Sequence, residues 1–161
     1  MRVHLSLGGN VGDRRGTLEA AVGALDALPG IEVTARSSCY ETEPVGDIEQ
    51  PRFLNMAVEV ETTYEPLELL EAVKGIEQAL GRGPGPRWGP RPVDIDIVLW
   101  GNRMVESDRL TLPHKEFRNR AFVLAPLAEI APDAVDPVTG KTVAELAAGP
   151  QARGRVSKLQ S

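Results

Sequence analysis

Residues 53–62, FLNMAVEVET, and residues 93–100, VDIDIVLW, both alternate side chains with a period of two. In the first, Leu54, Met56, Val58 and Val60 stand against Phe53, Asn55, Ala57 and Glu59. In the second, Val93, Ile95, Ile97 and Leu99 stand against Asp94, Asp96, Val98 and Trp100. A period of two marks strands with one face in a core. Residues 2–7 read as a further strand, stopped by Gly8-Gly9-Asn10, a turn cluster suited to positive φ. Residues 31–42, with Ile31, Val33, Thr34 and Tyr40, read as another, followed by the polar stretch 43–52 as a loop.

Two helical stretches separate these strands. Asp13 can cap a helix with Leu18, Val22, Leu25 and Leu28 on one stripe, stopped by Pro29-Gly30. Pro66 suits the first turn of a second, with Leu69, Val73, Ile76 and Leu80 on its apolar stripe and Gly81 at its end. The order β-α-β-β-α-β predicts an α+β fold of ferredoxin-like type, an antiparallel sheet with both helices packed on one face. Phe53, Asn55, Asp94 and Asp96 would then point together to the opposite face. C-terminal additions follow: a turn at Gly101-Asn102, a helical stretch near 118–130, and a tail expected to be poorly ordered from about residue 150. A single domain spanning 1–161 is the expectation, since one core organises a chain of 161 residues.

Composition narrows the function classes. Eighteen Lys and Arg against 23 Asp and Glu give a net charge of -5, which argues against nucleic acid as a partner. Aromatic residues make up 4% of the chain, too few for an RNA-binding sheet of this topology, which needs exposed rings on its central strands. No apolar run is long enough to cross a bilayer, so no membrane partner is expected. The lone Cys39 excludes an internal disulfide framework and points to the reducing cytoplasm.

Asp94-Ile95-Asp96 sets two carboxylates about 6 to 7 Å apart on one strand face, a repulsive pair unless a cation joins them. An isolated D-x-D is most often a solvated strand face. Here it is entered from residues 81–92, where eight of twelve are Gly or Pro and Arg82, Arg87, Arg91 and Trp88 are interspersed. Such a segment is either a linker or a lid whose arginine forks meet phosphate oxygens. Carboxylate oxygens suit Mg²⁺, and paired ions can clamp the attacking and leaving oxygens of a phosphoryl displacement. Neither a P-loop nor a dinucleotide-binding glycine motif is present.

Leu7-Gly-Gly-Asn10, Phe53-Leu-Asn55, Arg87-Trp-Gly-Pro-Arg91, Asp94-Ile-Asp96, and Pro113-His114 to Asn119-Arg120 occur in this order. With them the chain resembles the hydroxymethyl-dihydropterin pyrophosphokinases of folate biosynthesis, from residue 2 to about 135. The resemblance implies an enzyme transferring pyrophosphate from MgATP to 6-hydroxymethyl-7,8-dihydropterin, with AMP released. It implies Asp94 and Asp96 as ligands of two Mg²⁺, and a pterin site of Thr42, Pro44, Val45, Phe53, Asn55 and Phe122. Arg82, Arg87, Trp88 and Arg91 resemble the catalytic loop of the family. Lys74, Glu77, Arg109, Thr111, His114, Lys115 and Arg120 resemble its ATP site. A monomer binding only small molecules is expected. Phe53 stands where relatives often have Tyr, residues 83–86 are Gly and Pro where relatives can be more basic, and Lys74 and Lys115 replace neutral side chains. The rival enzyme of the same topology, a metal-dependent nucleotidyltransferase, would release pyrophosphate in place of AMP.

Overall fold

Strand β4 (Phe53–Thr62), with the cleaner of the two alternations, lies in the middle of the sheet. The computed structural model describes residues 1–9, 13–42, 53–81, 93–152 and 156–158. On one side β4 pairs antiparallel with β1 (Arg2–Gly9), and β1 with β5 (Asp94–Trp100). On the other side it pairs with β2 (Ile31–Arg36) and β3 (Tyr40–Thr42). Helices α1 (Arg14–Ala27) and α2 (Pro66–Gly81) cover one face of the sheet. Leu18, Leu25, Leu69 and Val73 pack there against Val3, Leu5, Leu7, Leu54, Met56, Val58 and Val60. Asp13 caps α1 by accepting the Gly16 amide at 3.0 Å, and Gly30 ends its turn at φ +86°, in the region glycine favours. The α+β, ferredoxin-like reading therefore stands, with all of these pairings antiparallel.

The chain beyond residue 100 adds a second layer. A hairpin of β6 (Val105–Glu106) and β7 (Thr111–Leu112) is followed by a 3₁₀ turn (Phe117–Asn119), α3 (Ala121–Ile130) and α4 (Val143–Ala148). Phe117, Val123, Leu124, Leu127, Val143 and Leu146 bury Ala57, Val98 and Leu99 of the sheet's other face. That face is thus shared between a small core and the polar residues at one end of the strands. Among the described residues no helix is long and apolar enough to cross a membrane.

Three features depart from the sequence reading. Residues 31–42 are two strands, broken at Ser37–Cys39, where the Ser37 hydroxyl accepts the Ala57 amide at 2.8 Å in place of a backbone carbonyl. Strand β1 continues through Gly8 and Gly9, and Gly8 does not have positive φ. In β5 the register slips between His4 and Leu5, so Val98 is an extra residue against β1. A bulge reverses side-chain parity. Leu99 consequently lies under α3, and Trp100 joins the α1–α2 core, the reverse of strict alternation. Near the C-terminus, β8 (Val156–Lys158) pairs with β3 and covers its sheet edge.

His4 lies on the α3 side, with Nε2 3.0 Å from Glu59 Oε2 and a buried Nδ1. Burial holds this ring below its ordinary value of 6.5, against the upward pull of the Glu59 carboxylate. The unfolded chain then binds more protons than the fold does, so stability declines as pH falls through about 6.5. His4→Gln should flatten the loss of the urea midpoint between about pH 7 and about pH 5. An unchanged slope would assign that loss to other groups.

Candidate active site

Pairing across four strands brings the polar residues into one row. Asp94 lies opposite Gly8, Gly8 opposite Asn55, and Asn55 opposite Tyr40. Flanking this row on opposite sides, Asp96 lies opposite Ser6, and Thr42 opposite Phe53. Directly opposed residues project to the same face. The two acids, Asn55, Thr42 and Phe53 therefore share the face away from α1 and α2, as the alternation requires.

Gly8 lets this row close up. A Cβ at that position would stand 2.6 Å from Oδ1 of Asn55, so the asparagine side chain lies over the bare glycine backbone. Its Nδ2 donates to Thr42 Oγ1 at 2.5 Å, and the residue is only 4% exposed. The sequence places this glycine in a turn cluster; a glycine inside an alternating strand is the local signal that could have marked the close approach.

Strand β5, which carries the acids, is the edge of the sheet, and two of its backbone groups are met from outside. The amide of Ile95, between Asp94 and Asp96, donates to the buried Glu77 Oε2 at 2.8 Å. The other Glu77 oxygen is 3.1 Å from Lys74 Nζ. At the bulge, the Val98 carbonyl accepts the His114 amide at 3.0 Å. This bond brings the segment after β7 alongside the acids.

The His114 ring is fixed as well. Its Nδ1 accepts the Glu116 amide at 3.1 Å, so the neutral ring carries its proton on Nε2. Burial holds its pKa below the ordinary value, with Asp96 pulling upward and Arg120 downward. Arg120 flanks the start of α3, and its guanidinium lies 5.6 Å over the ring of Phe122. Phe122 is half-buried against the core that contains Ala57 and Leu99.

The structure thus groups Thr42, Phe53, Asn55, Asp94 and Asp96 on the sheet, with His114, Arg120 and Phe122 contributed by the added layer. Lys74 and Glu77 on α2 engage each other, and Glu77 holds β5. Arg109 is exposed and paired with Glu71 of α2, Thr111 lies opposite Glu106 in the hairpin, and Lys115 is exposed. Pro44, Val45, Arg82, Arg87, Trp88 and Arg91 lie outside the described residues.

Residues 4–132 match the family described as 7,8-dihydro-6-hydroxymethylpterin-pyrophosphokinase, HPPK. The chain belongs to this family. It is 51% identical over 144 residues to the 2-amino-4-hydroxy-6-hydroxymethyldihydropteridine pyrophosphokinase of Methylorubrum extorquens, covering 89% of this chain and 90% of that one. To the Bacillus subtilis protein of the same name it is 49% identical over 127 residues, 79% of this chain and 76% of the relative. A Plasmodium falciparum HPPK-DHPS structure superposes with a TM-score of 0.71 over 91% of this chain at 19% identity, a likeness of fold. The chain spans 42% of that longer protein. As an HPPK, the chain is a pyrophosphokinase enzyme of folate biosynthesis.

The Gly8–Asn55 approach gives a direct test on this HPPK. Gly8→Ala should displace Asn55 from Thr42 and raise the KM for the pterin about tenfold, the equivalent of about 1.4 kcal/mol. The melting temperature should fall only a few degrees, as for modest overpacking. A parental KM would show that Asn55 does not have to lie across the glycine to work.

Proposed function

We propose that this chain transfers the pyrophosphoryl group of ATP to the hydroxymethyl oxygen of 6-hydroxymethyl-7,8-dihydropterin through the face just described, with AMP leaving. The observation that carries the reading is the row Asp94, Gly8, Asn55: a reader of polar heterocycle edges beside paired acids, separated by one bare strand. Asn55 offers an amide that both donates and accepts, Thr42 buttresses it, and Phe53 and Phe122 supply ring faces for stacking. Lacking a hydroxyl, Phe53 contributes only its face.

ATP takes the β5 edge. His114, with its donor on Nε2, and Arg120 meet the terminal phosphates, while Thr111, Lys115, Arg109 and Lys74 line the approach. Engaging Arg109 means releasing an exposed ion pair with Glu71, which costs little. Glu77 serves this site by holding the Ile95 amide and so the strand between the acids. Arg82, Arg87, Trp88 and Arg91 as catalytic residues, and Pro44 and Val45 as pterin contacts, complete the proposal on the sequence resemblance.

The donor set of β5 fits Mg²⁺. Asp94 is exposed and Asp96 half-buried, both hard oxygen ligands open to solvent. Among the described residues no three His, Cys, Asp or Glu groups converge, so water and phosphate oxygens would complete the shells of two ions arriving with the nucleotide. Such ions neutralise charge on the phosphate oxygens. Asn55 and the two rings orient the pterin so that its hydroxyl oxygen can attack the β-phosphorus, with the hydroxyl proton released to solvent water. The bond from that phosphorus to the oxygen bridging to the α-phosphate breaks, and the electron pair leaves with AMP.

We also take 1–161 as one domain that works as a cytoplasmic monomer without nucleic acid. Both cores share the strands β4 and β5, and the net charge is negative. Cys39 is a single buried thiol whose pKa burial pushes up.

ATP labelled separately at β and γ should deliver both labels to the pterin, one for one, with AMP as co-product. Label from γ alone, with ADP formed, would make this a simple kinase, and free pyrophosphate would favour the nucleotidyltransferase. Asp94→Asn and Asp96→Asn should fold and lose turnover by about a thousandfold, the equivalent of roughly 4 kcal/mol of barrier. Near-parental rates at saturating Mg²⁺ would remove the acids from the site.

A further inference from the structure

Helix α3 carries Phe122 in its first turn and Glu129 two turns later, about 10 Å along the axis. The Glu129 carboxylate reaches three segments at the far edge of the sheet. Its Oε2 accepts the Ser38 amide at 2.8 Å and the Ser38 hydroxyl at 3.3 Å. Its Oε1 accepts the Tyr40 hydroxyl at 2.8 Å and lies 3.5 Å from Lys158 Nζ of β8. The side chain is 26% exposed, so these bonds are shielded in part from solvent. They hold the carboxylate below its usual pKa despite the cost of burial, and burial with the Glu129 contact pushes Tyr40 up to about 12. The carboxylate is thus charged and Tyr40 a donor throughout the neutral range.

Tyr40 lies directly opposite Asn55, and two residues on, Thr42 bonds to the Asn55 amide. One carboxylate therefore ties the helix bearing Phe122 to the strand that buttresses Asn55. At its other end α3 is located by the His114 anchor on β5 and the turn that follows. The helix spans the sheet between two fixed points, and the second of them is Glu129.

We infer that Glu129 is a positioning residue for the pterin, setting where α3 and its Phe122 ring sit relative to the strand that buttresses Asn55 through its bonds to Ser38, Tyr40 and Lys158. The inference rests on the site reading above. Glu129 lies too far along the helix to touch the ring that Phe122 stacks on, so it acts through α3 and β3. Loss of its bonds should loosen the pterin slot while leaving the β5 edge, where ATP is met, in place.

Steady-state kinetics with both substrates, together with equilibrium titration of the pterin, test this. Glu129→Ala should weaken the pterin about tenfold in KM and in Kd and change the KM for ATP by less than about twofold. Tyr40→Phe, which removes one hydroxyl and keeps the ring, should shift the same two pterin constants by about threefold and guards against a fold lost in the first variant. Glu129→Gln retains one acceptor and should recover part of the loss. Parallel rises for both substrates, or parental pterin constants in folded Glu129→Ala, would overturn the inference. Asn55→Ala separates it from the site reading. If pterin affinity falls in Glu129→Ala but not in Asn55→Ala, the assignment of Asn55 fails and Glu129 stands. If it falls only in Asn55→Ala, Glu129 is merely structural.

Discussion

The close passage of β1 between β4 and β5 is the constraint on which the site depends. Neighbouring strands lie about 4.8 Å apart, so Asp94 and Asn55, separated by a single strand, stand roughly 10 Å apart. That span separates the side chain proposed to read the pterin from the acids proposed to face the phosphates. It holds only if the strand between them offers no side chain at the crossing point, which is the role of Gly8. A residue with a Cβ there would push Asn55 off Thr42.

The bulge at Val98 solves a second problem in β5. The strand must present acids to the added layer at its start and bury Trp100 under α1 and α2 at its end. One inserted residue allows both, because it exchanges the faces midway. It also coincides with the carbonyl that receives the His114 amide, so the parity change and the docking of the segment after β7 occur at one place. The anchoring of the same strand by Glu77 adds a buried carboxylate whose partners are the Ile95 amide and Lys74.

The added layer is braced by charge as well as by packing. Asp136, fully buried, accepts Arg118 at Nε and Nη2, the Val138 amide and the Thr139 hydroxyl. Arg118 lies in the turn between His114 and Arg120, with its guanidinium 4.9 Å over Phe117. Satisfied on every side, this ion pair specifies one arrangement of the turn, although a buried pair adds little net stability over apolar packing. The C-terminal third of the chain thereby fixes how two basic groups meet the sheet.

Much of this was legible in the chain itself. The period-two run at 53–62, and the run at 93–97 before the bulge, specified which side chains face α1 and α2 and which face the other way, because strand periodicity is local. The caps and stops of α1 and α2 were equally local, and the motif order sufficed to assign the family. Tertiary structure alone decided what pairing between distant segments determines: that Gly8 serves Asn55 and not a turn, that Val98 reverses the parity of β5, and that residues 31–42 divide at Ser37. It also decided that residues 156–158 close the edge of β3, and that Glu129 links α3 to Tyr40 across 89 residues of chain. A side chain's conformation follows its neighbours in sequence, whereas its partner depends on which strands the shared core draws together, and no short window of sequence records that.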